Sequence, residues 1–432
     1  MLYFFQKRET MTIIDNFKKL IEIPHCSEQT DALFEFIIAF AKEHGYVVES
    51  DEAKNILIHK GNPKLALQAH YDMVCMGDAP TIEMYEKEGW LYAKNSSLGA
   101  DNGMAIAMMM TLMERGEELE FVLTSDEEIG LVGAGAIQLP LGADYMLNLD
   151  FEEEAVVCIG CAGGADLKAE QSFYKLDDED RYEHHYELSV SGLEGGHSGV
   201  DIDKNIPNAI KILADYLKDE KVVLSSCQGG ERANSIPTQI IMQLSSKNIL
   251  KENQWVKVKP LDTKLPLYDS DDFLALLQEF KHGIHSHNEE FNVPDTSINL
   301  AMVRFEEGNA TIECSARGMS DEGLEAICET TLELFEKYAL SSTHNAKYSA
   351  WKPEINSFAS LVNKATKKVF GESSYEAIHA GLECGLLLKR YPTIQFASIG
   401  PTIENPHSLR ERVNLKSVEE TFKVVEEVIA TL

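Results

Sequence analysis

The sequence predicts an α/β fold, a mixed sheet flanked by helices, interrupted by an inserted ferredoxin-like α+β domain. Two observations carry this. Short apolar runs of strand length alternate with segments of helical period up to Asp150, and the alternation returns from Ser357. Between these outer stretches the order becomes β-α-β-β-α-β, with a charged insertion near residues 247–295. A chain of 432 residues is too long for one ordinary core. The expected organisation is an outer domain in two parts, 1–162 and 351–432, around an insert at 163–350.

Taken in order, residues 11–45 carry a helical period in Ile14, Phe17, Leu20 and Ile21, then Leu33, Phe36, Ile37, Phe40 and Ala41. Pro24 separates the two helices, and Ser27 or Thr30 is available to cap the second. Strands are expected at 46–49, 56–59 and 65–69, a Met-rich helix at 103–114, a strand at 120–125, a short helix at 130–137 and a strand at 145–150. A polar run, 175–185, leads into the insert, with strands at 186–191, 222–226 and 238–244. Ile206, Ala209, Ile210, Leu213 and Leu217 mark its first helix. A helix at 271–280, strands at 296–305 and 310–315 and a helix at 321–338 complete it. The outer alternation resumes with a helix at 359–370, a helix at 381–389, a strand at 393–398 and a last amphipathic helix at 418–432.

The composition excludes several classes of partner. With 39 basic and 71 acidic residues the formal charge is −32, which repels nucleic acid and anionic lipid. No segment approaches the roughly 18–20 apolar residues that span a bilayer. Met1-Leu2-Tyr3-Phe4-Phe5 is too short for a signal-peptide core, and Met11 would begin an equally sensible protein, which leaves residues 1–10 as an extension and a cytoplasmic location as the expectation. Eight scattered cysteines read as reduced, mostly buried thiols, and the lone Cys158-Ile-Gly-Cys161 as packing rather than a metal pair.

Metal-binding side chains recur where strands should end. His70 and Asp72 close Leu67-Gln-Ala-His-Tyr-Asp72; Asp101, Glu127-Glu128, Asp150 and His407 follow in later turns. A single tetrahedral zinc needs only three protein ligands. Two histidines and three carboxylates instead suit two ions about 3.5–4 Å apart that share one carboxylate. Asp101, before a glycine-containing helix start, is placed to bridge; His70 and Asp150 complete one ion, Glu128 and His407 the other. Imidazole with carboxylate favours zinc, with cobalt or manganese fitting much the same shell. Glu127 would face the bridging water as general base, and Asp72 would accept the free N–H of His70. Taken singly, a strand-end Asp is a turn residue and a Glu-Glu pair a solvated surface. His282-Gly-Ile-His285-Ser-His287 reads as a charged loop rather than a site, and Gly196-His-Ser-Gly199 misses the serine-elbow spacing at Val200.

Ala69-His70-Tyr-Asp72-Met-Val74, Leu98-Gly-Ala-Asp101-Asn-Gly103, Asp126-Glu-Glu-Ile-Gly130, Leu149-Asp150, Gly192-Leu-Glu-Gly-Gly-His197-Ser-Gly199, His379-Ala-Gly-Leu-Glu383-Cys-Gly385 and Pro406-His407-Ser408 span nearly the whole chain in order. In them the sequence resembles the dinuclear zinc peptidase family of peptidase T, peptidase V, carnosinases and bacterial carboxypeptidase G, most of all its aminoacyl-histidine dipeptidase branch. The resemblance implies a zinc-peptidase catalytic domain with a lid/dimerisation insert, two zinc ions per subunit, small-peptide substrates of the Xaa-His or broader dipeptide class, and a homodimer. A monomer with an enlarged lid fits the same length. It gives the same roles to Asp101, His70, Asp150, Glu128, His407 and Glu127. It adds His197 as oxyanion-stabilising histidine, in several relatives supplied by the partner subunit, and Asn234 and Arg317 as substrate-binding. A guanidinium fork suits a peptide's terminal carboxylate. His379 and Glu383 stay open between substrate contact, ligand support and packing. The chain is somewhat shorter than the branch's pattern, in the lid and loops. An N-acyl amino acid deacylase would need the same metals and base; a metal-binding scaffold without turnover would not need Glu127 or His197.

Overall fold

Leu65–His70 is buried along its whole length, as its apolar sequence requires, and pairs in parallel with Glu120–Thr124 on one side and Tyr145–Asn148 on the other. Gln395–Ser398, from the far end of the chain, extends the parallel set beside Tyr145–Asn148. These four strands are the middle of an eight-stranded mixed sheet. It continues through Ile56–His59 to Val47–Ser50 at one edge and through Val156–Cys161 to Ser374–Ile378 at the other. The computed structural model describes residues 13–177 and 182–432. The possible extension at 1–10, the alternative start at Met11 and residues 178–181 of the polar run lie outside them.

The chain divides into two units. The first comprises Met1–Cys161, Trp351–Ala377 and Leu382–Leu432; the second comprises Ala162–Ala350 and the short return Ile378–Gly381, which sequence order alone places with the outer segment.

Within the first unit, Ala100–Arg115 is buried on nearly every side, from Ala100 through Met113, which explains its Ala- and Met-rich sequence with no polar stripe. Gly116, at φ 78°, ends it in the left-handed conformation that a side chain would resist. The helices Ser357–Phe370 and Leu415–Thr431 are capped by Asn356 and Asn414, whose side-chain oxygens accept from amides of the first turn. At Asp31–Glu43 the expected cap fails. Thr30 occupies the N-cap without a side-chain hydrogen bond, and the Ser27 hydroxyl donates to Asp72 instead.

A hairpin that periodicity did not reveal, Met84–Lys87 with Trp90–Ala93, joins Arg412–Asn414 and Ile403–Glu404 in a four-stranded sheet. Strands of two to four residues carry too few alternations to be read from sequence. Arg412 locks this sheet by lying 4.4 Å over the Trp90 ring while its guanidinium bonds Glu404.

The second unit is a nine-stranded antiparallel sheet, larger than one β-α-β-β-α-β pattern supplies. That order is found within it, from His184–Val190 to Val293–Glu306, with Lys257–Leu261 and Gly283–Asn288 as additional strands in the region read as a charged insertion. The helices Ala209–Tyr216, Asp271–Glu279 and Asp321–Lys337 place Ile210, Leu213, Phe273, Leu277, Leu324 and Phe335 in one core with the sheet. Ile206 precedes the first helix rather than starting it. The histidine tract is strand rather than loop: His282 is an acceptor for the Asn208 side chain and the Leu300 amide, and burial lowers its pKa to about 4.

The cysteine expectation needs one correction. Six of the eight thiols are reduced and buried, but Cys26 and Cys75 form a disulfide. Both lie in loops that run side by side, where the Met73 amide donates to the His25 carbonyl and the Ser27 amide to the Met73 carbonyl. No spacing rule pairs two loop cysteines 49 positions apart. Because the bond closes a long loop, its reduction or a Cys75→Ser substitution is expected to lower unfolding free energy by about 2–4 kcal/mol. Urea titrations with and without reductant measure the difference.

Candidate metal centre and active site

In the parallel register His70 lies opposite Thr124, Gln68 opposite Asn148, and Asn148 opposite Ser398. The four carboxyl ends therefore emerge at one edge of the sheet, the place where open α/β sheets hold their sites. His70 ends its strand there. Glu127 and Glu128 follow Thr124, Asp150 follows Asn148, and His407 sits in the loop between Ile403–Glu404 and Arg412–Asn414. Asp101 comes from the opening turn of the central helix, where Asp101 and Asn102 have non-helical dihedrals and are joined by a cis peptide.

The five expected ligands converge. Asp101 presents Oδ1 to His70 Nε2 and Oδ2 to His407 Nε2, each at 3.1 Å. His70 Nε2 is also 3.3 Å from Asp150, and His407 Nε2 is 2.9 Å from Glu128. Three overlapping triads result: His70–Asp101–Asp150, Asp101–Glu128–His407 and His70–Glu127–Glu128, each with its ligand atoms within 4.8 Å of one another.

The donor set fits divalent cations. The Glu128 Oε1 atom is buried without a hydrogen-bond partner, an arrangement that is costly unless something electropositive meets it. Burial raises the pKa of Glu127, Glu128 and Asp150, and neighbouring carboxylates raise each further. For His407, burial pulls downward but its hydrogen bonds to Asp101 and Glu128 prevail, lifting it to about 11. Concentrated negative charge around two imidazoles is the chemistry of a metal centre.

Asp72 does more than was expected of it. The nearest acceptor to His70 Nδ1 is the main-chain carbonyl of Asp72, at 3.0 Å, with its carboxylate at 3.5 Å. That carboxylate accepts from the amides of Glu127 and Glu128 and from Ser27. It holds the backbone of the Glu-Glu pair as much as the imidazole.

The remaining expected residues lie together in the second unit. His197 is paired through its short strand with Ser235, and its Nδ1 accepts from the amides of Gly199 and Val200. The ring hydrogen is therefore on Nε2. Asn234, exposed, receives the Ser198 amide on its carbonyl. Arg317 is 6% exposed; it donates to the Tyr348 hydroxyl, and its Nε has no partner. A Cβ on Gly199 would come within 3.0 Å of the Arg317 guanidinium and 2.6 Å of the His379 carbonyl, so glycine is required for this approach. His379 meets Ser297 at 2.7 Å.

Three buried carboxylates complete the first unit's picture. Glu383 accepts from Gln68 and Thr124, and Gln68 in turn receives the Asn148 amide, a network tying together three of the ligand-bearing strands. Glu152 and Glu411 were not visible in the sequence. Glu152 is raised by burial and by Asp101 and Asp150, while Glu411 bonds the backbone before Asp101. Neither stands at a strand end or in a motif, so no local pattern marks them.

Residues 66–431 match Peptidase family M20/M25/M40. The chain belongs to that family. Among M20 relatives, it is 31% identical over 467 aligned residues to the cytosol non-specific dipeptidase of Escherichia coli, covering 96% of both chains. The crystal structure of aminoacylhistidine dipeptidase from Vibrio alginolyticus superposes with a TM-score of 0.84 at 28% identity, covering 98% of this chain and 96% of that one. A shorter match, 29% over 154 residues, reaches succinyl-diaminopimelate desuccinylase of Nautilia profundicola, covering 33% of this chain and 41% of the relative. Among the described residues no helix is long and apolar enough to cross a membrane.

The buried carboxylates give the metal-free M20 chain a pH dependence. Burial raises Glu383 from 4.5 to about 7, so between those values the folded state holds a proton that the unfolded state has released. Its contribution is full below 4.5 and is lost as pH rises through 7, an amount of about 3 kcal/mol. Thermal melts of metal-free protein should show this decline, and Glu383→Gln should make it shallower, the other buried carboxylates with raised pKa keeping the remainder.

Proposed function

We propose that this M20 chain is a cytoplasmic dinuclear metallopeptidase that hydrolyses dipeptides. The observation that carries the reading is Asp101, whose two oxygens face two different histidines, each with a carboxylate of its own and with Glu127 beside them. His70 and Asp150 would hold one ion, Glu128 and His407 the other, and Asp101 both; zinc is the metal the donor set favours, with cobalt and manganese compatible. When bound, the ions supply Lewis acidity that polarises a water and the peptide carbonyl.

Glu127 takes the water's proton and returns it to the departing amine. Its burial, and repulsion from Glu128, Asp150 and Glu383, raise its proton affinity, which His70 partly offsets. Asp72 keeps the Glu127 backbone in register through its amide. His197 steadies the oxyanion by donating from Nε2, a tautomer supported by the two amides on Nδ1. Arg317, with an unpaired buried Nε, meets the terminal carboxylate, and Asn234 contributes a further polar contact. A carboxylate clamp of this kind favours short peptides. The inserted segment serves as lid and dimerisation domain in a homodimer; nucleic acid and membrane are not partners, given the charge of −32. The Escherichia coli relative is a cytosol dipeptidase, which supports the location, while Cys26–Cys75 is unusual for a reducing compartment.

The desuccinylase match keeps N-acyl amino acid deacylation as a second reading. Rates on Ala-His and Gly-Leu should exceed those on N-acetyl amino acids; the reverse order selects the deacylase. Glu127→Ala is expected to retain its metal by elemental analysis and to lose about 10²–10⁴-fold in kcat. Wild-type turnover in that variant would remove Glu127 from the mechanism.

A further inference from the structure

The central helix begins without a cap of its own. Gly99 occupies the N-cap at φ 71° and offers no side chain, leaving the first amides to find acceptors elsewhere. One carboxylate meets four consecutive amides, from Leu98 to Asp101. Glu411 Oε2 accepts from the amides of Leu98 at 2.7 Å and Gly99 at 3.1 Å, and Oε1 from Ala100 at 2.7 Å and Asp101 at 3.4 Å. Glu411 is 3% exposed, more than 300 positions away in sequence.

We propose that Glu411 is a positioning residue for the metal centre: by gripping four consecutive amides it fixes the backbone from which Asp101 addresses both histidines. A cap alone needs only the first-turn amides near the axis. Here the grip begins before the helix, at Leu98, and ends at Asp101, whose dihedrals are non-helical. The loop that carries Glu411 also carries His407, and Arg412 at its end is fixed over Trp90 and against Glu404. One hairpin thereby delivers a ligand and sets the aim of another, so the separation of His407 from Asp101 is governed by a single rigid element. The Glu411 oxygens are turned to the backbone and not to the ligand triads. The role rests on the reading of Asp101 as the shared ligand.

The test uses the full chain as holoenzyme, with Glu411→Gln, Glu411→Asp, Asp101→Asn and a core control, Val428→Ala. Three quantities are measured: the zinc dissociation constant by chelator competition, kcat and KM on a dipeptide, and the melting temperature of the metal-free chain. Gln keeps one acceptor oxygen and turns an NH₂ toward amides; Asp keeps the charge but is one methylene short. The expected result is a weakening of zinc binding by roughly 10–100-fold in Glu411→Gln, the usual effect of losing a residue that orients a ligand, with a smaller loss in Glu411→Asp. kcat should fall in the same order and KM change by less than about twofold, as for an interaction expressed in the reacting complex. Unchanged zinc affinity in Glu411→Gln overturns the proposal. So does an equal loss in Val428→Ala at a matched drop in melting temperature, or failure of both Glu411 variants to fold, since either makes the contact a general stabiliser. If Asp101→Asn keeps wild-type zinc affinity, the shared-ligand reading falls, whatever Glu411 does; if Asp101→Asn loses zinc and Glu411→Gln does not, only the positioning role falls.

Discussion

Repulsion between buried carboxylates is the constraint on which this structure depends. Asp101, Glu127, Glu128 and Asp150 crowd one edge of the parallel strands, with Glu152, Glu383 and Glu411 close enough to affect their protonation. Such crowding is unfavourable unless each charge is met. Every device around the site answers that need. Backbone amides surround Asp72 and Glu411, hydroxyl and amide side chains hold Glu383, and two imidazoles lie between the remaining oxygens. What these protein groups leave unmet, above all Glu128 Oε1, is what a bound cation would meet.

The sheet explains why residues so far apart in sequence can share that edge. Parallel strands send all their carboxyl ends in one direction, and Leu65–His70, Glu120–Thr124, Tyr145–Asn148 and Gln395–Ser398 are parallel neighbours. This part was legible in the sequence. The strands are short and mostly apolar, and three of the four are followed within a few residues by a carboxylate or imidazole. The long helices were legible for the same reason: several turns of period accumulate before a boundary must be placed. The hairpin Met84–Lys87 with Trp90–Ala93 was not, since its residues alternate over too few positions and its stability comes from Arg412, far along the chain.

Long-range partners account for the other differences. Ser27 looked like a helix cap because only local donors are visible in a sequence, whereas its acceptor, Asp72, lies 45 positions away. Cys26 and Cys75 looked like two isolated thiols until their loops were brought alongside. Arg317 carries no sign of burial in the sequence, yet strand pairing opposite Ser297 and Gly164 encloses it. In each case the residue type was read correctly and the partner was supplied by the fold.

The neighbour relation between Tyr145–Asn148 and Gln395–Ser398 has a consequence for the growing polypeptide. The earlier strand must wait for most of the remaining chain to be translated before its second parallel partner exists, and until then it offers an apolar ladder with open hydrogen-bonding groups to any passing strand. Pairings of such wide separation close slowly and favour association of unfinished molecules. The interruption of this sheet by a long segment therefore places on the cell a demand for protection during synthesis that an uninterrupted version of the same sheet would not make.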